Sequence, residues 1–255
     1  MPQSIHISIH IEATTGTSFL NDLGRIYGKD QVLLFDHHKE KVIRLSEVPF
    51  TPGQSLLYSG KKLLTKAPVI GKLFQDRDDQ GDPSSGWMEM DEIPEDAAAI
   101  HGHFIPDRFE GQFQSTYYSI VIREPLERMI LQYRQWKRNQ GDVNWRVMVP
   151  YDQDLSFKEY AFLSEYQNYQ SQYLGDKRLG DFDYVGVIEM LDIHLRQLQG
   201  ENWSDIKITE QPVSYDRFLK DKKLDLTKDW IEKFIERNEK DYYIYRQAKE
   251  FINYG

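Results

Sequence analysis

The sequence predicts an α/β protein: a mostly parallel central sheet with helices on both faces. A segment of period two opens the chain, further short strand-like runs follow along it, and most lead into apolar residues at helical spacing. Strands that alternate with helices are joined by crossovers, which makes neighbouring strands parallel and requires both faces of the sheet to be covered. At 255 residues and 30.2 kDa, with no repeat or low-complexity tract, residues 1–255 read as one domain around one core.

The first strand is the clearest. Ile5, Ile7, Ile9 and Ile11 alternate with His6, Ser8 and His10. Thr14, Thr15, Gly16, Thr17 and Ser18 follow as a small-residue loop, and then Phe19, Leu20, Leu23 and Ile26 recur as one face of a helix. Gln31 to Phe35 reads as a second strand, Ala97 to Phe104 as a third and Tyr117 to Ile122 as a fourth, the last entering a helix that opens at Pro125 and runs through Trp136. Leu155 to Leu174 is helical by pattern. Tyr184 to Ile188 is a strand feeding a helix through Leu198, and Leu226 to Ile252 closes the chain as one long helix. Residues 49–95 fit no regular pattern; they combine a basic amphipathic piece at Lys61, Lys62, Lys66 and Lys72 with a turn-rich stretch, and read as an insertion or lid.

Composition narrows the function classes. Acidic residues outnumber basic ones by 41 to 32, a formal charge of −9 that argues against a polyanionic nucleic-acid partner while allowing a local basic pocket. The absence of cysteine removes disulfides, thiolate metal sites and cysteine nucleophiles, and fits a reducing compartment. No run approaches the roughly 20 apolar residues of a spanning helix, and residues 1–10 carry no leader pattern. The expectation is a soluble cytoplasmic protein with no membrane partner.

Three segments carry candidate chemistry. A strand that delivers the chain into a small-residue loop at a helix N-terminus makes an anion site, because free N–H groups and the positive end of the helix dipole point at the same place. Thr14, Thr15, Gly16, Thr17 and Ser18 supply that loop, with an ordinary capped helix as the alternative. It lacks the spacing and the Lys of a Walker A loop. Arg123 sits just past a strand end, where open parallel sheets bind ligands, and its planar fork suits phosphate; the alternative is a surface ion-pair group of Arg123, Glu124, Glu127 and Arg128. His101 and His103 flank Gly102 on one face of an extended chain, Gly102 allowing close approach of a ligand. Such imidazoles suit a general base, a metal pair lacking an evident third ligand, or a structural pair.

Taken in order, these segments resemble the sulfotransferases that use 3′-phosphoadenosine 5′-phosphosulfate (PAPS), especially their carbohydrate O-sulfotransferase-like branch. His10 to Ser18 (HIEATTGTS) resembles that family's HIPKTGGTS opening, and Ile122 to Trp136 (IREPLERMILQYRQW) its LRDPVERVLSHYRYW signature. Downstream, Asn168 to Leu174 resembles NLQTRFL, Tyr184 to Leu195 resembles FVGLTERFDESL, and Asn238 to Ala248 the final helix. The resemblance implies a P-loop-like sulfotransferase fold, with PAPS as sulfuryl donor, a hydroxyl-bearing acceptor and no metal. It implies that Thr14 to Ser18 wrap the 5′-phosphosulfate, that Arg123 binds the 3′-phosphate, and that His103 or His101 is the base.

Three positions depart from the family. Its loop Lys falls at Ala13, and the Ser that shares the 3′-phosphate falls at Leu131; Glu12 stands where Pro is usual. A lost cation at a developing negative charge typically costs about 10²-fold or more. Lys61, Lys62 or Lys66 is a candidate replacement. The rival expectation is a degenerate member acting as a binding or scaffold module; a phosphoryl-transfer enzyme is disfavoured by the missing Walker Lys.

Overall fold

A computed structural model describes residues 4–14, 16–36, 40–48, 92–138, 154–190, 215–221 and 224–254. The basic cluster at Lys61, Lys62, Lys66 and Lys72, residues 49–91 of the expected lid, and the expected helix from Ile188 through Leu198 beyond Met190 lie outside these residues.

Strands β1 (Ser4–Ile9), β2 (Val32–Asp36), β3 (Lys41–Arg44), β4 (Ala99–Gly102), β5 (Ser115–Ile122) and β6 (Tyr184–Val187) form one sheet in the order β3-β2-β4-β1-β5-β6. Every neighbouring pair is parallel except β2 and β3. The expected mostly parallel α/β architecture is present. The edge strand β3 was not anticipated: KVIR is only four residues long, and Val42 and Ile43 are both buried, on opposite faces, so it shows no alternation.

The period of two in β1 sorts its side chains between two cores. Ile5, Ile7 and Ile9 join Ile100, Ile120 and Ile122 in the larger one, against α2 (Pro125–Arg138), α6 (Lys228–Arg237) and α7 (Glu239–Tyr254). His6, Ser8 and His10 lie on the other face, which α1 (Gly16–Tyr27) covers with Phe19, Leu20 and Leu23. A helix row on each face hides the apolar surface of the sheet.

Two expected helices are broken. Leu155 to Leu174 forms α3 (Phe157–Tyr160), a 3-10 turn (Ser164–Tyr166) and α4 (Tyr169–Gln172), rather than one helix. Asn168 causes the last break: it is left-handed at φ 51°, its N–H donates to Asn238 Oδ1, and its own Oδ1 accepts from Lys240 N. Likewise the terminal helix splits into α6 and α7 at Asn238, whose φ of −112° interrupts the helix and frees its side chain for that bond. Both interruptions serve the same tertiary contact. A further short helix, α5, spans Asp216–Leu219.

Candidate functional site

Because β1, β4 and β5 are parallel neighbours, their carboxyl ends lie along one edge of the sheet. The chain leaves β1 toward β2 on one side and leaves β5 toward β6 on the other, so the edge between β1 and β5 is the reversal point at which such sheets hold ligands. The loop after β1 and Arg123 meet there, and the His101-Gly102-His103 segment ends β4 on the other side of β1.

Arg123 follows β5 directly, and its Nη1 donates to the carbonyl of Ala13 at 2.8 Å. Its backbone is clamped by the buried Gln170, whose Oε1 accepts from Arg123 N at 3.0 Å and whose Nε2 donates to Arg123 O at 2.9 Å. Gln170 is in turn held by Asp241, which accepts from the N–H groups of Gln170 and Ser171 at the start of α4. A continuous hydrogen-bonded path therefore runs from α7 to the β1–α1 loop. Ala13 itself is left-handed at φ 60°, a conformation costly for a residue with a Cβ.

The loop residues divide. Thr14 Oγ1 donates to the Ile11 carbonyl at 2.6 Å, so this hydroxyl shapes the turn. Gly16, Thr17 and Ser18 form the first turn of α1, placing its N-terminus at the edge, and Thr15 lies outside the described residues. Glu12 turns toward α2, where its Oε2 accepts from Gln132 Nε2 at 2.7 Å and Gln132 Oε1 accepts from Arg128 Nη1 at 2.5 Å. Arg128 and Glu124 are fully buried, which overturns the surface ion-pair reading for both. The Arg128 guanidinium lies 4.6 Å over the Tyr169 ring.

The two histidines of the HGH segment do share one face, and the structure adds a third ring. His10 stacks on His103 with centroids 4.4 Å apart and on His101 at 5.1 Å. His101 is buried and its Nδ1 is hydrogen-bonded to Ser8 Oγ at 2.8 Å, while His103 is only half-buried, at the mouth. A cavity of about 20 Å³ opens among His10, His101, Gly102, His103, Leu20, Leu34 and Phe35, roomy enough for a water molecule. Gly102 serves packing rather than ligand approach: a Cβ there would lie 2.8 Å from the Phe35 carbonyl oxygen. Among the described residues no group of three or more His, Asp or Glu is arranged to hold a metal ion, and no helix is long and apolar enough to cross a membrane.

The chain matches no family model, no curated protein and no solved structure. What it can do is therefore read from these residues. The sequence reading missed His10, although its position on the polar face of β1 signalled that it would point toward α1 with His6 and Ser8. It placed Glu124, beside Arg123, only in a surface ion-pair group, whereas Glu124 is buried and its Oε1 accepts from Tyr242 OH at 2.8 Å and from Tyr215 OH at 3.2 Å.

Burial sets the protonation of these groups. It lowers His6 to about 4, against a small opposing pull from Asp183, and lowers His101 to about 3, helped by His103 and His6. His10 is held well below its ordinary value by burial and then by His103 and His101. Glu124 is pushed up to about 7 by burial, with Glu189 adding to the push and the tyrosine hydroxyls opposing it. The consequences for stability have opposite signs. The histidines contribute fully above about pH 6.5 and lose that contribution as pH falls toward 4; Glu124 contributes fully below about pH 4.5 and loses it as pH rises through 7. Glu124 thus offsets one histidine between about pH 6.5 and 4.5. Urea titrations should show stability falling toward acid over that range, more steeply in Glu124→Gln by about 1.4 kcal/mol per pH unit. Equal slopes in the two proteins would refute this assignment.

Proposed function

We propose that the protein transfers a sulfuryl group from PAPS to an acceptor hydroxyl. The observation that carries this reading is the convergence, at one edge of a parallel sheet, of a helix N-terminus, an arginine bonded to the loop before it, and a half-buried histidine. In this reading the first turn of α1 and the Thr14 to Ser18 loop hold the 5′-phosphate, Arg123 holds the 3′-phosphate beside Ala13, and His103 faces the acceptor. His103 is preferred to His101 because His101 is buried behind it and engaged by Ser8. The acceptor oxygen attacks sulfur as the bond from sulfur to the phosphate oxygen breaks. His103 takes the hydroxyl proton, and adenosine 3′,5′-bisphosphate leaves. Positioning and charge stabilisation supply the catalysis.

A degenerate binding module is the second reading. Ala13 and Leu131 favour it, because neither side chain brings a cation or a hydrogen-bond donor, and so does Thr14, whose hydroxyl is committed to Ile11.

Calorimetric titration with adenosine 3′,5′-bisphosphate, followed by assay of its release from PAPS with carbohydrate hydroxyl acceptors, separates the two. Micromolar binding that Arg123→Ala weakens about tenfold or more, together with acceptor-dependent release, is the expected result. Binding without release favours the module, and no binding by the folded protein overturns the nucleotide reading.

A further inference from the structure

The polar face of β1 carries more order than a structural histidine pair needs. His6, Ser8 and His10 alternate along it, and each meets a polar or aromatic partner on a neighbouring strand or on α1. His6 Nε2 is hydrogen-bonded to Ser119 Oγ of β5 at 2.7 Å and its Nδ1 to Tyr27 OH of α1 at 3.1 Å. Ser8 Oγ is hydrogen-bonded to His101 Nδ1 of β4 at 2.8 Å. His10 N donates to Gly102 O at 2.8 Å, which locks the backbone of β1 to β4 at the level of the rings. The ring of His10 then lies between those of His101 and His103, inclined 18° to the first and 29° to the second.

We propose that Ser8 and His10 are positioning residues for the candidate base: Ser8 fixes the orientation of the His101 ring, and His10, clamped between His101 and His103, holds the His103 imidazole at the sheet edge. This rests on the sulfuryl-transfer reading for its catalytic consequence, though not for its geometry.

Ser8 is 1% exposed and His101 is 4% exposed, so their hydrogen bond is shielded from exchange with bulk water. The Ser8 hydroxyl serves Nδ1 as donor or acceptor, so in either tautomer the bond holds the His101 ring in one orientation. The other nitrogen, His101 Nε2, is buried with no partner among the described residues, and His101 lines the small cavity shared with His10 and His103. Among the described residues, His6 and Ser8 on β1, Phe19 on α1 and Tyr173, 6.4 Å from His103 by ring centroids, face the stack. A flat, uncharged partner is what a ring needs if it is to accept a proton without swinging away from the acceptor, since a misplacement of about 1 Å costs roughly 10²-fold. His10 is kept in that uncharged state by its burial.

The test uses the full chain with ¹⁵N-labelled histidine. Nuclear magnetic resonance should show one set of His101 ring resonances in the native protein and a shifted, exchange-broadened set in Ser8→Ala. In His10→Ala, the His103 ring should titrate at a different pH, and kcat should fall about tenfold with KM for PAPS unchanged. His10→Phe keeps a flat ring and should restore most of the lost kcat. Unchanged His101 ring resonances in Ser8→Ala, or an unchanged His103 titration in His10→Ala, overturn the proposal. Because the resonances report the rings without turnover, the expected shifts in a protein that binds no nucleotide would uphold the stack while removing the sulfuryl-transfer reading.

Discussion

Replacing His103 with alanine is expected to lower acceptor-dependent release of adenosine 3′,5′-bisphosphate by about 10²- to 10⁴-fold, the usual span for a lost general base. The nucleotide should bind with native affinity, because Arg123 follows β5 and the first turn of α1 follows β1, whereas His103 follows β4. His103 is half-buried, so its loss leaves the cores intact, unlike His101, whose ring is enclosed and bonded to Ser8. The comparison that decides is the split between kcat and binding. A fully active His103→Ala variant removes this residue from the mechanism, and equal loss of binding and turnover assigns it to the nucleotide site instead.

Replacing Arg128 with alanine should cost about 3–5 kcal/mol of stability, the range found when one member of a buried charged group is removed. Arg128 is 1% exposed, and it joins Gln132 and, through Gln132, the Glu12 carboxylate at the entrance to the loop after β1. Its guanidinium also covers the Tyr169 ring, so the truncation leaves a cavity and removes the positive charge that favours the ionised form of the buried Asp241. Urea denaturation of Arg128→Ala, and of Arg128→Met combined with Glu12→Gln, measures the two parts. The double variant should recover most of the loss, since replacing a buried charged group by neutral groups of like volume is often close to neutral. Native stability in the single variant would show that Glu12 is solvated without Arg128.

Much of the edge was legible in the chain before any fold was known. Alternation in Ile5 to Ile11 announced β1 and its two faces, and the small residues after it announced a loop entering a helix, because both signals depend on nearest neighbours alone. Arg123 just past a strand and His101 with His103 on one face followed from the same local periodicities. Other features were invisible for an equally physical reason. Asn168 and Asn238 lie 70 residues apart and break two helices to bond each other, which helical spacing within either segment has no means to register. The four residues of β3 pair only because β2 offers its edge. Gly102 suggested ligand approach, yet it packs against Phe35, a neighbour that only the β2–β4 register brings within reach.

By itself, the sequence determined the α/β class, the strand, loop and helix at the start of the chain, and which residue types stand at strand ends, since backbone periodicity and turn chemistry are properties of short segments. Only the tertiary structure decided that His10 lies between His101 and His103, that Ser8 holds His101, that Arg123 grips the Ala13 carbonyl, and that Glu12 turns toward Gln132. Those contacts join residues from different strands and helices, and they exist because parallel pairing brings the carboxyl ends of β1, β4 and β5 to one edge of the sheet.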